Sequence, residues 1–477
     1  MRSHLPRPCS LPILAALVLA GIAAPAAAVV RLPAILSDHM VLQRGAQVPV
    51  WGWADPGEQV TVKLGAQSRS VKAGADGRWQ ATLDLRGKQG TDQATDTATT
   101  LLVSGENNQI TVDDVLLGEV WLASGQSNME KPVGEKQGQK PTFNAEQEIA
   151  AANYPDIRFF KVKRRKARQP QDDVAGEWVR CSPESLAGIP FSAAAYFFGR
   201  RLHTELKAPV GLVDSTWGGT RIELWTAGAQ PTALDPDAAT LYNGMVAGLA
   251  PFALKGVIWY QGESNIIDGG EVARYTVSME TLVSGWRRQW GSDFAFYYAQ
   301  VAPHLYHVVR HAKVIDPQAT ALMWEAQADA LRIPGTGMIV TTDLVDDLRD
   351  IHPRDKKTVG LRLANVALAQ SYGRSDIAAY GPSYRALTIE NGKAVISFDH
   401  ADGLGARDGK ALNWFDIAGG DGRWHPGIAT IVDGKVVVAS PSVAQPVKVR
   451  FAWDEAAQPN LVNGAGLPAL PFRSRRD

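Results

Sequence analysis

An α/β fold with a β-rich module at each end is the architecture this sequence predicts, and three observations predict it. From Asp114 to about Tyr380, short apolar runs with almost no charge alternate with longer helical patterns. That alternation belongs to a parallel sheet covered by helices. On either side, residues 29–112 and 381–477 alternate apolar and polar positions between Gly and Asp turns, as half-buried strands do. Finally, three of the central runs end in clusters of glycine and polar side chains.

Length and composition bound the reading. At roughly 150 residues per domain, 477 residues suit two to three domains. An apolar fraction of 45% and a charged fraction of 21% are ordinary for a globular protein. Lys+Arg and Asp+Glu both number 49, so no net field steers the chain toward nucleic acid or an anionic membrane. Residues 1–28 read as a secretory signal peptide. Arg2 and Arg7 precede the apolar run Leu11–Ala24, and Ala26, Ala27 and Ala28 offer a small-residue cleavage site. The run is short for a membrane anchor, and no later segment has ~18 uninterrupted apolar residues. The mature chain is therefore expected to start near Val29, exported to the periplasm or secreted, with no membrane span. Cys9 leaves with the signal, so Cys181 stands alone and stability must come from burial.

The elements follow in order. In residues 29–112, Val48–Gly52, Gln59–Leu64 and Gly77–Leu83 read as strands, and Gly87–Thr100 as a connection. In residues 113–380, the buried strands are expected at Val115–Ala123, Val210–Asp214, Gly256–Tyr260, Phe294–Gln300 and Met338–Thr342. Helices are expected at Ser192–Leu206, Val272–Trp290, Ala319–Leu331 and Lys356–Ser371. In residues 381–477, Lys393–Phe398, Ala429–Val432 and Val447–Trp453 are strand candidates. The run Lys161–Arg168 holds six basic residues in eight. It lacks interleaved aromatics, so a solvated loop or strand edge is preferred over a nucleic-acid patch.

The chemistry gathers where strands end, which is where open α/β sheets bind ligands. One block is Gly125-Gln126-Ser127-Asn128-Met129. A second is Trp217-Gly218-Gly219-Thr220-Arg221, and a third is Gln261-Gly262-Glu263-Ser264-Asn265. A fourth follows the last strand, Asp346-Asp347-Leu348-Arg349-Asp350-Ile351-His352-Pro353. A nucleophilic serine needs a base and a group that orients the base. Ser127, His352 and Asp350 are the candidates, with Asp346 and Asp347 as alternative acids. Donors for an oxyanion are the Ser127 N–H, an N–H in the Gly218-Gly219 turn and the Asn265 amide.

These four blocks resemble those of the SGNH hydrolases, and most closely the sialate O-acetylesterase-like family of carbohydrate esterases. Gly-Gln-Ser-Asn-Met-Glu at 125–130 is similar to that family's nucleophile block, and Ser-Thr-Trp-Gly-Gly-Thr at 215–220 to its glycine block. Trp-Tyr-Gln-Gly-Glu-Ser-Asn at 259–265 and Asp-Ile-His-Pro-Arg-Asp-Lys at 350–356 are similar to its asparagine and histidine blocks. The resemblance implies an SGNH-like α/β/α sandwich and hydrolysis of carbohydrate O-acetyl groups. It implies Ser127 as nucleophile and His352 as base, with Ser127, Gly219 and Asn265 around the oxyanion. Many SGNH members place the acid three residues before the histidine, where this chain has Arg349; the spacing of Asp350 is similar to the sialate-esterase-like branch. Arg221 stands where relatives often carry a small residue or proline. Gln126, Gln261, Glu263 and Arg221 are read as substrate-binding, with loop bracing as the plainer job for Glu263 and for Glu223.

The implied partner is an acetylated carbohydrate, either O-acetylated sialic acid or an acetylated hemicellulose, with a slight preference for the second. No cofactor or metal is required. His304, His307 and His311 have a spacing that could hold metal, but solvated loop histidines are preferred. Trp217, Trp225, Trp259 and Trp324 are read as core or pocket wall. Two rivals remain at this point: a non-catalytic carbohydrate-binding protein on the same fold, and, ranked lower, a lipase or peptidase. Oligomeric state is left open.

Overall fold

In a computed structural model of the chain, residues 1, 29–86, 98–233, 235–268, 272–308 and 315–474 are described. The expected signal segment lies outside these residues, as does nearly all of the Gly87–Thr100 connection. The last two positions of that connection instead open a strand, Thr99–Ser104.

A mixed sheet with helices against both faces organises the molecule. Its strands are β1 (Gln109–Gly125), β2 (Tyr154–Lys161), β3 (Trp178–Cys181), β4 (Val210–Thr216), β5 (Gly256–Tyr260), β6 (Ala295–Ala299) and β7 (Thr336–Ile339). The order across the sheet is β7-β6-β5-β1-β4-β2-β3. Every pair is parallel except β2–β3. Burial on both faces explains the uncharged runs. On β1, Val120 and Leu122 join the core that holds Trp259, Trp286 and Trp324. Trp121 and Ala123, which alternate with them, join the core of Phe198 and Leu363. Helices α1 (Ala193–Leu206) and α4 (Lys356–Ser371) supply the second core; α2 (Tyr275–Trp290) and α3 (Ala319–Asp329) supply the first. The expected helices therefore form within a few residues of their predicted limits, and β7 starts two residues before the predicted Met338.

Strand β1 is central, and it continues without a break from the N-terminal region into the sheet. Its first half pairs antiparallel with Thr99–Ser104 and its second half parallel with β4 and β5. Asp114 marks the change, with a φ of 57°. Its carboxylate binds Arg158 at 2.6 Å, Arg180 at 2.7 Å and His39 at 2.6 Å. Burial alone would raise its pKa, but the hydrogen bonds from Arg158, Arg180 and His39 hold it well below the usual carboxylate range.

The C-terminal region is β-rich, as expected. One antiparallel sheet joins Ser383–Glu390, Lys393–Asp399, Lys435–Ala439 and Ile428–Val432. Another joins Trp424–Pro426, Phe415–Ala418, Lys448–Phe451 and Phe472–Arg473. This region reaches into the central layer. Buried Glu455 accepts from the His307 backbone at 3.2 Å and pairs with its ring, and Gln458 donates to Val345 O at 2.8 Å. It thereby holds two of the loops at the carboxyl edge of the sheet. Among the described residues, no helix is long and apolar enough to cross a membrane.

Candidate active site

Ser127 sits one turn beyond the end of β1, in the first position of the short helix Ser127–Glu130. The turn needs glycine at two places. Gly125 has a φ of 126°, and a Cβ there would lie 2.3 Å from Tyr260 O on β5. A Cβ on Gly218 would lie 3.1 Å from the Ser127 Cβ and 2.9 Å from Glu130 Oε2. The glycine block is thus packed against the serine itself. Glu130, buried beneath it, accepts from Gly218 N at 2.9 Å and pairs with Lys136 at 2.7 Å and with Arg164.

Three strand-end loops are stitched together by buried amides. Gln126 Oε1 accepts from Gln261 Nε2 and Ser264 N, each at 3.1 Å. Gln261 Nε2 also donates to Thr220 O at 3.1 Å and to Asn265 Oδ1 at 2.7 Å, while Tyr275 OH donates to Gln261 Oε1 at 2.7 Å. Asn265 Oδ1 accepts from Ile222 N at 3.1 Å as well. Its orientation is therefore fixed, and its amide Nδ2 faces Glu223 at 3.0 and 3.1 Å. The sequence reads Gln126 and Gln261 as substrate-binding; the structure places both side chains inside this web. Glu263 is likewise buried, accepting from Asn128 Nδ2. Burial raises its pKa, against its own hydrogen bonds and nearby Lys356.

The histidine loop meets the serine turn through Asn128. Its Nδ2 donates to Ile351 O at 3.0 Å, so the residue after Ser127 is bonded to the residue before His352. The His352 Nδ1 lies 3.7 Å from Asp350 Oδ1, which also accepts the His352 backbone N–H at 2.9 Å. Asp346 and Asp347 are turned to other groups. Asp347 accepts from Arg349 N at 3.0 Å and pairs with Lys140 at 3.4 Å; Asp346 accepts from Arg354 N at 3.4 Å. With Nδ1 toward Asp350, the Nε2 edge faces the Gln139 amide at 3.5 Å.

Two cavities open from these loops. Asn265 lines one of about 510 Å³ together with Arg221, Glu223 and Asp235. His352 lines another of about 690 Å³ with Gln139, Lys140, His304 and Asp350. Arg221 is held by Asp235 at 3.0 Å and Glu223 at 3.3 Å. Of the histidine triplet, His311 lies outside the described residues and His307 pairs with Glu455. Among the described residues no group of three or more metal-ligating side chains assembles. Trp225, Trp259 and Trp324 are core, while Trp217 is half-buried with the Arg164 guanidinium 5.2 Å from its ring centroid. The basic run is mostly exposed, as expected; Lys161, half-buried, pairs with buried Asp214 at 2.9 Å, and exposed Arg164 reaches Glu130. Sequence reasoning gave no role to Asn128, Glu130 or Lys356. For Lys356 the sequence does hold a signal: a lysine in the first turn of a helix opposes the helix dipole.

Burial pushes His352 down to about 4; Lys356, Lys131 and Lys136 push the same way and Asp350 opposes. Neutral imidazole is the form able to accept a proton. The acid limb of kcat/KM for a neutral acetyl ester is therefore expected far below the ~6.5 of free histidine. A pH–rate profile checks this: activity should stay flat down to about pH 5 and fall beneath it. A limb near the free value would show that His352 is solvated in the working enzyme.

Comparison with known proteins agrees with this geometry. The family model described as carbohydrate esterase, sialic acid-specific acetylesterase, matches residues 117–369. Human sialate O-acetylesterase is 31% identical over 497 residues, covering 93% of this chain and 92% of that one. The Pongo abelii sialate O-acetylesterase is 31% identical over 498 residues, with the same coverage. Among solved structures, a carbohydrate acetylesterase from Xanthomonas citri is 36% identical with a TM-score of 0.83, covering 94% of this chain and all of its own. The chain belongs to the sialate O-acetylesterase-like family of carbohydrate esterases.

Proposed function

We propose that this protein is a serine esterase that hydrolyses O-acetyl groups from carbohydrate through an acyl-enzyme. One observation carries the reading: the Asn128 bond that joins the Ser127 turn to the His352 loop. In this scheme Ser127 Oγ attacks the acetyl carbonyl carbon and His352 takes its proton. Asp350 orients the imidazole and offsets its positive charge. The oxyanion is met by the Ser127 N–H, the Gly219 N–H and the Asn265 amide. As the intermediate collapses, the sugar oxygen leaves with the proton from His352. Water then attacks the acyl-enzyme, again through His352, and acetate departs. Gln126, Gln261 and Glu263 act as braces, and Arg221 lines the cavity beside Asn265. The fold is an SGNH-like α/β/α sandwich between β-rich modules at 29–112 and 381–477, and residues 1–28 direct export.

The substrate we favour is a neutral acetylated oligosaccharide, such as acetylated hemicellulose, rather than O-acetylated sialic acid. Arg221 supports this. Its charge is met by Glu223 and Asp235, so it has little attraction left for a sialate carboxylate. Acetate release from acetylated xylo-oligosaccharides should exceed release from O-acetylated sialic acid under the same conditions. Release only from the sialic acid would reverse the preference.

A further inference from the structure

Among the buried ionisable side chains that the scheme leaves unused, one is bonded to the residue after Ser127. Lys356 opens α4 and is 0% exposed. Its Nζ donates to Asn128 Oδ1 at 2.7 Å and lies 5.2 Å from the Tyr260 ring centroid. A buried ammonium is costly unless it is bonded and paired, and an apolar side chain could fill such a position at less cost. The structure therefore spends stability here, and the side-chain acceptor it gives Lys356 among the described residues is Asn128, which follows Ser127.

That acceptor explains what the lysine does. Asn128 is fully buried, and its amide could face either way round. As placed, Oδ1 takes the ammonium while Nδ2 donates to Ile351 O and Glu263 Oε1. Turned over, Nδ2 would confront the ammonium donors, and Oδ1 would confront a carbonyl and a carboxylate. We propose that Lys356 is a positioning residue that locks the Asn128 amide and so holds the Ser127 turn in register with the His352 loop. The inference rests on the serine-esterase reading.

Charge adds a second consequence. The charged groups that act on Lys356 are Lys131, Glu263, Asp355 and Asp350. Burial pushes it down to about 7, so it is protonated throughout the acid range in which His352 titrates. His352 in turn feels Lys356, Asp350, Lys131 and Lys136. The Lys356 ammonium opposes a second positive charge on the imidazole and keeps it in its base form.

The test is Lys356→Met assayed on a soluble acetyl ester beside wild type and Ser127→Ala. Misplacing a reacting group by about 1 Å costs about 100-fold, so kcat should fall about 10- to 100-fold with little change in KM. The acid limb of kcat/KM should move upward, and less so in Lys356→Arg, which keeps the charge; loosened packing would move both variants alike. Should Lys356→Met fail to fold, Asn128→Ala reads the same link: a similar loss of kcat at unchanged KM supports it, and wild-type kcat overturns it. A folded Lys356→Met with wild-type kcat and an unmoved acid limb overturns it too. An inactive wild type, or an active Ser127→Ala, would instead overturn the esterase reading itself.

Discussion

Ser127→Ala should lose about 10⁴-fold or more in kcat on a soluble acetyl ester while keeping its fold. The loss follows from position. Ser127 lies at the head of the sheet's central strand, nearly buried, with the Gly218 backbone against its Cβ and Asn128 tied to the histidine loop. The retained fold follows from the same facts. No hydrogen bond of the Ser127 hydroxyl joins the web that braces the loops, and alanine suits the first turn of a helix. Steady-state kinetics with a nitrophenyl acetate, alongside circular dichroism and thermal melting, checks both halves. A variant that keeps its fold and a tenth of its activity would show that the hydroxyl is not the nucleophile.

His352→Ala should cost a similar factor, and the double variant with Ser127→Ala should cost no more than either alone. Nucleophile and base act as one unit, so their removals do not add. What activity is left would come from binding and from the oxyanion donors. The expected outcome is three variants with nearly equal residual kcat. If the double variant lost the product of the two single factors, the two side chains would be acting in separate steps, and the arrangement proposed for the four loops would be wrong.

Much of the candidate site's geometry is legible in the sequence because it is local. A glycine that must pass under Tyr260 O, a serine two residues on, and an asparagine closing a strand-end turn are each set by a few consecutive residues. The helix Lys356–Ser371 was legible for the same reason: Asp355 caps it, accepting from Thr358 N at 2.9 Å. Strands β2 and β3 were not read. The β2 pattern is broken by Pro155 and by Arg158, a charged residue in mid-strand, and β3 is only four residues long and carries Arg180. Arg158 is buried only because Asp114, far away in sequence, waits on the neighbouring surface. Gln126 and Gln261 illustrate the same limit. A glutamine beside a candidate nucleophile looks alike in sequence whether it faces a ligand or a neighbouring loop; the tertiary web turns both inward. Arg164 is exposed as the solvated run implies, but nothing in its own stretch announces its partner Glu130.

The central claim is that one hydroxyl carries the acetyl group during turnover. Rapid quenching during hydrolysis of an acetyl ester, followed by peptide mass spectrometry, tests it most directly. An acetylated peptide containing Ser127 is expected, formed in wild type and lost in His352→Ala. Acetate released while no peptide is acetylated, or while the label sits on another residue, would contradict it.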